Sequence, residues 1–174
     1  MVRKKENWQK PPRDWLKINI DASMISDFSK AGFALVIRNC TRGFMGAMAF
    51  SAVARDVMQA EAMILLKALQ WIKDQNIQRV IVEGDNLSVI NGCNGTLVSV
   101  PWEDHSLMLE CQQVFSGLSQ CVVSFERQDH NLAADLLAKH AIRSIRMQSW
   151  WESPPNIISE IFSREGNHIA PVSV

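Results

Sequence analysis

The spacing of apolar positions changes its period along the chain. Leu16, Ile18 and Ile20 alternate with Lys17, Asn19 and Asp21, the period of two expected for a half-buried strand over 16–23. Turn residues around 26–29 separate it from a second apolar run over 30–39. Asn39 to Gly43 then form a turn before a third run over 43–52. Three strands joined by short turns predict an antiparallel meander. The period then lengthens. Residues 56–76 are rich in strong helix formers. Asp56 stands as the N-cap and Asn76 as the terminator, and Ala62, Leu65, Leu66, Leu69 and either Ile72 or Lys73 trace a helical stripe. A fourth strand over 79–84 leads into a short helix capped by Asp85 or Asn86 and ending near Gly92. Pro101 opens a helix over roughly 102–116, with Leu107, Leu109, Val114 and Phe115 as its apolar positions. A fifth strand spans 121–127 and a last helix 131–147.

The order is βββαβααβα. A meander followed by βα alternation predicts an α/β fold, a mixed five-stranded sheet with helices on both faces. Three regions follow: a flexible basic leader over 1–14, a domain over 15–147, and a tail over 148–174 that packs on the domain or extends it. Pro154-Pro155 break that tail from the domain.

Composition narrows the class. Hydrophobic residues make up 47% of the chain and charged residues 21%, enough apolar material for a real core. No apolar run reaches membrane-spanning length, so no membrane partner is expected. The basic start lacks the apolar segment of a secretory signal, so an intracellular location, nuclear or cytoplasmic, is expected rather than secretion. Cys40, Cys93, Cys111 and Cys121 have no CxxC spacing and read as reduced thiols. Zero net charge excludes a uniformly basic nucleic-acid coat protein but leaves room for a local basic patch.

Candidate chemistry lies in the acidic residues. The stretch VIVEGDNLSVI runs from an apolar strand into Glu83 and Asp85, with no Lys or Arg in the residues that follow. A carboxylate at the edge of a core is costly unless it is paired or holds a metal. Asp21 sits late in the first strand, Glu61 early in the long helix and Asp135 early in the last helix, each among small or apolar neighbours. Each has a plain structural explanation alone: a strand-end Asp, a helix-dipole Glu, an N-cap, a surface helix residue. If the first and fourth strands are adjacent, however, this order of elements brings all four to one point. Like charges held close demand a counter-ion. A donor set made only of carboxylate oxygens suits Mg²⁺ or Mn²⁺, and two such ions about 3.5–4 Å apart form an arrangement that cleaves phosphodiesters. Glu83 alternates with Asp85 on the strand and is expected on the same side, as support.

Together, WQKPPRDWLKINIDAS, QAEAMILLKALQWI, VIVEGDNLSVI and RQDHNLAADLLAKHA, over roughly residues 8–145, resemble the type-1 ribonuclease H family. The resemblance is greatest to the ribonuclease H-like domains of plant non-LTR retroelements and their domesticated relatives. It implies that Asp21, Glu61, Asp85 and Asp135 are catalytic and metal-binding residues. It implies two Mg²⁺ (or Mn²⁺) ions per site, and hydrolysis of the RNA strand of an RNA–DNA hybrid to 3′-hydroxyl and 5′-phosphate ends. Ser23, Asn86 and Asn131 are the candidate substrate-binding residues, with N-capping as the alternative for Asn131. The chain also departs from the family. Val57 stands where many members carry a polar residue, and only Gln128, Asp129 and His130 precede Asn131, where better-studied members have a long loop with a His. His130 reads as an exposed loop residue. Lys4, Lys5, Arg38, Arg42, Arg55 and Arg127 remain as candidates for phosphate contact. Trp102 reads as a core or loop anchor, with groove lining as the alternative. The expected function is therefore a monomeric metal-dependent ribonuclease acting on RNA–DNA hybrids; the alternative is a nucleic-acid-binding or interaction module of weak or lost turnover.

Overall fold

A computed structural model of the protein describes residues 8–25 and 29–164. Three antiparallel strands, β1 (Leu16–Met24), β2 (Lys30–Arg38) and β3 (Phe44–Val53), form the meander. Helix α1 (Val57–Asp74) then crosses to β4 (Arg79–Gly84), which lies parallel to β1. Two further helices, α2 (Leu87–Cys93) and α3 (His105–Ser116), lead to β5 (Gln120–Phe125), parallel to β4. The chain closes with α4 (Leu132–Ala141), β6 (Gln148–Trp150) and α5 (Asn156–Arg164). The strand order is β5-β4-β1-β2-β3-β6, so β1 sits between a parallel and an antiparallel neighbour. Among the described residues, no helix is long and apolar enough to cross a membrane.

The sheet has six strands where the sequence pattern predicts five. β6 is three residues long and carries no alternation that could mark it. It is a strand because the edge of β3 is open to it, with Ala47, Met48 and Ala49 opposite Trp150, Ser149 and Gln148. The last helix is also shorter than its sequence suggests. It ends at Ala141, where the chain turns back toward the β3 edge and the Ser51 hydroxyl donates to the Ser144 carbonyl at 2.8 Å. Ile145, counted into the helix by its apolar character, stands 96% exposed. The third predicted helix opens as a single 3₁₀ turn over Trp102–Asp104. Its buried residues are Met108 and Cys111, while Leu109 faces solvent.

Two cores flank the sheet. On one face, Ile18, Ile20, Phe33 and Leu35 pack against Leu65, Leu69 and Ile72 of α1, so Ile72 rather than Lys73 completes the helical stripe. On the other, Ala34, Val36, Ala47 and Ala49 pack against Leu137, Ala138 and Ala141 of α4 and Ile158 and Phe162 of α5. The small residues on that face let α4 approach closely. At Gly32 a Cβ would overlap the Ala138 carbonyl and lie 2.7 Å from the Ile142 nitrogen, so only glycine fits.

The same face buries a polar network that runs from the amino end of β1 up to the Asn19–Glu83 pair. Trp8 is 1% exposed, and its indole N–H donates to Asn19 Oδ1 at 2.7 Å. Asn19 Nδ2 donates to Glu83 Oε2 at 3.1 Å, and Lys17 Nζ lies 2.6 Å from Glu83 Oε1. The Arg38 guanidinium lies between the rings of Trp8 and Phe162, 4.3 Å from each centroid. Trp8 and Pro11, which fall in the basic leader of the sequence, are buried, while Gln9, Lys10 and 12–14 are exposed, and α5 of the tail covers the same face. Residues 1–7, with Lys4 and Lys5, lie outside the described residues.

Candidate active site

The parallel ladder between β1 and β4 ends at the pair Asn19–Glu83. Beyond it β4 stays with β5, as Glu126 N–H donates to the Gly84 carbonyl at 2.9 Å. β1 goes on with β2 alone. The two strands therefore part, opening a crevice at their carboxyl ends, where ligands bind in sheets of this kind. Asp21 lies two residues past Asn19 and Asp85 two residues past Glu83, so parallel register brings them to matching levels on either side of the crevice.

Parting from β4 leaves the β1 backbone over residues 20–22 without a sheet partner on that side. The adjacent helices supply the missing bonds. Asn131, at the start of α4, donates from Nδ2 to the Ile20 carbonyl at 2.8 Å. Glu61, in α1, accepts the Ala22 N–H on Oε1 at 3.1 Å. Asp56 sets the start of α1 by accepting the Gln59 N–H at 2.9 Å, and Asn86 sets the start of α2 by accepting the Val89 N–H at 3.1 Å. Two helices are thus tied to the residues on either side of Asp21.

The result is a convergence of carboxylates. One oxygen each from Asp21, Glu61 and Asp85 lies within 4.8 Å of the others. Burial, followed by the charges of Glu61, Asp85 and Asp135, pushes Asp21 up to about 9. Burial, then Asp85, pushes Glu61 up to about 8. Asp85, at the mouth, is also raised, mainly by burial. Three carboxylate oxygens this close together are compatible with a divalent cation, and an all-oxygen donor set is of the kind that hard ions take. Asp135 is close enough to raise Asp21 but lies outside the trio. Its Oδ2 accepts from Lys139 Nζ at 2.7 Å, one turn along α4.

Ser23 is half-buried on β1, two residues beyond Asp21. Asn131 is fully buried and makes no side-chain capping bond to α4; its role is the tie to Ile20. Its Oδ1 is buried without a hydrogen-bond partner. Glu83 does not support Asp85. It faces Lys17 and Asn19, because its neighbour across the ladder is Asn19 rather than Asp21. His130 is half-buried, with Nδ1 2.9 Å from Glu126 Oε1. Arg38 is buried between two rings and unavailable to a phosphate. Arg55 is bound to Asp56 and the fully buried Asp104. Arg127 lies 3.4 Å from Asp129. Trp102 is 78% exposed and anchors no core. Lys139 escaped the sequence reading; its only signal was the i, i+4 spacing from Asp135.

The profile of a family described as reverse transcriptase-like matches residues 19–141, a span that runs from β1 through α4. No curated protein matches the sequence. Among solved structures, RNase H1 from the halophilic archaeon Halobacterium salinarum superposes with a TM-score of 0.67 at 17% identity, over 74% of this chain and 97% of that one. LC11-RNase H1 in complex with an RNA/DNA hybrid superposes with a TM-score of 0.64 at 16% identity, over 73% and 96% of the two chains. The foamy viral protease–reverse transcriptase in complex with an RNA/DNA hybrid superposes at 0.60 and 14% identity, over 83% of this chain and 22% of that one. At these identities the likeness is one of fold.

Proposed function

Because the chain belongs to the reverse transcriptase-like family and has a ribonuclease H-like fold, we propose that it is a metal-dependent endoribonuclease acting on the RNA strand of RNA–DNA hybrids. The observation that carries this reading is the trio Asp21, Glu61 and Asp85, with one oxygen each within 4.8 Å of the others at the mouth of the crevice. Solved relatives of the same fold hold RNA/DNA hybrids, which supports the choice of substrate.

Asp21, Glu61 and Asp85 would hold the cation, with Asp135 at the edge of the same site for a second. Divalent ions in such a site make a bound water acidic and stabilise charge on the leaving oxygen. The chain's own part is placement. Glu61 is held by the Ala22 N–H and α4 by the Asn131–Ile20 bond, so the carboxylates are fixed before substrate arrives. Fixed charge placed in advance is what makes such sites effective. Ser23 and Asn86, both half-buried, are left as the substrate-positioning residues; Asn131, buried and bonded to Ile20, acts by holding α4 in place. Hybrid selectivity would come from 2′-hydroxyl contacts to one strand.

A second reading, a binding module of weak turnover, is favoured by Val57, which stands half-exposed at the first turn of α1 and offers no hydrogen bond to a base or sugar. Cleavage of a labelled RNA–DNA hybrid with Mg²⁺ or Mn²⁺ separates the two. RNA-strand cutting that is lost in Asp85→Asn and in EDTA is the expected result. Hybrid binding without cutting by folded protein would leave the binding module standing.

A further inference from the structure

Zero net charge conceals an uneven distribution. Residues 29–55 carry Lys30, Arg38, Arg42 and Arg55 and no Asp or Glu. Residues 136–151 carry Lys139, Arg143 and Arg146 and again no acid. The fold brings these two segments together. Ser51 is bonded to Ser144, and Gly32 lies directly under Ala138 and Ile142, so the end of α4 crosses β2 and β3. Lys30 is two residues from Gly32 on the same strand, hence on the same face of the sheet and about 7 Å away. Arg143 and Arg146 are exposed, Lys30 is half-exposed, and none of the three is in an ion pair among the described residues.

This cationic strip begins at the crevice. Lys139 heads it, bonded to Asp135. From Asp135 to the end of α4 at Ala141 is about 9 Å, the axial rise of two to three nucleotides of one strand. We propose that Lys30, Arg143 and Arg146 form a phosphate-tracking ridge that carries the backbone of one nucleic-acid strand away from the acidic crevice, over the residues that follow α4 and past the amino end of β2. The inference rests on the hybrid-nuclease reading for its substrate. The ridge supplies the positive surface that Arg38 and Arg55 cannot, since one is buried and the other is bound to carboxylates. Contacts of this kind position a strand without reading its sequence.

The test is hybrid binding in EDTA, followed by fluorescence anisotropy from low to moderate salt. The triple variant Lys30→Gln, Arg143→Gln, Arg146→Gln is compared with a control of equal charge loss, Lys67→Gln, Lys73→Gln, Arg79→Gln, on α1 and at the amino end of β4. Each lost phosphate contact lowers the slope of log K against log salt by about one. The expected result is a slope reduced by about two to three and affinity at least tenfold weaker in the ridge triple, with little change in the control and unchanged melting in both. Equal losses in the two triples, or an unchanged slope in the ridge triple, would overturn the ridge while leaving the nuclease reading in place. A ridge-specific loss in a protein that does not cut the hybrid would uphold the ridge and remove the nuclease. Failure of the unmodified protein to bind hybrid in EDTA would overturn the ridge, whose phosphate contacts need no metal, and would leave the nuclease reading to the cleavage assay.

Discussion

Replacing Asp21 by Asn should stabilise the metal-free protein, although it removes the residue at the centre of the proposed site. Asp21 is 3% exposed and faces Glu61, Asp85 and Asp135, which together hold its carboxyl protonated up to about 9. In the unfolded chain the same group ionises near 3.8. A group whose pKa is raised on folding contributes no penalty below its unfolded value and an increasing one as pH rises toward its folded value. At pH 7.5 the penalty reaches at most about 5 kcal/mol, taken at 1.36 kcal/mol per pH unit. An Asn at this place leaves part of its amide unsatisfied, at roughly 1–3 kcal/mol. The net gain in Asp21→Asn is therefore up to about 2–4 kcal/mol at pH 7.5, or up to roughly 5–15 °C in Tm for a chain of this size. The gain should shrink as pH falls toward 4. A saturating divalent cation should narrow it, because the ion stabilises only the carboxylate form, by about 2.7 kcal/mol at a hundredfold excess over Kd. Thermal melts in EDTA between pH 4 and 9, repeated with Mg²⁺, measure all three effects. A variant less stable than the parent at every pH in EDTA would refute the reasoning, since it would mean that the carboxylates are not held together at a cost.

Two further predictions concern the scaffold beneath the site. Gly32→Ala puts a methyl group against the backbone of α4 at Ala138 and Ile142, which cannot yield as a flexible side chain can; a loss of about 1–3 kcal/mol or more in chemical denaturation is expected, with cleavage falling as α4 lifts from β1 and β2. Lys17→Met leaves Glu83 buried without its cation, which should cost about 3–5 kcal/mol, whereas the double variant Lys17→Met, Glu83→Leu should recover much of that loss, as read by urea denaturation of all three proteins.

Much of the fold was legible in the order of elements, because a period of two over 16–23 and of 3.6 over 56–76 is imposed by burial on one face and survives in any sequence that folds this way. The three acidic residues that the structure brings together, Asp21, Glu61 and Asp85, stood out in the sequence for a related reason, as did Asp135. A carboxylate among Ala, Ile and Leu at the end of an element is a local anomaly, and Asp21, Glu61, Asp85 and Asp135 are four such anomalies in an order that one sheet can bring together. What the sequence could not determine is which groups neutralise which. Glu83 and Asp85 are two residues apart and look equivalent along the chain, yet one meets Lys17 and Asn19 and the other meets Asp21 and Glu61. The difference arises because β1 and β4 part after the Asn19–Glu83 pair, a register set by the packing of both strands. The same holds for Trp8, set in a basic stretch, and for Arg38, a candidate for phosphate contact, whose ring and guanidinium stack in the core. Tertiary structure alone decided β6 as well, since a three-residue strand has no pattern of its own and exists only where another strand leaves an open edge.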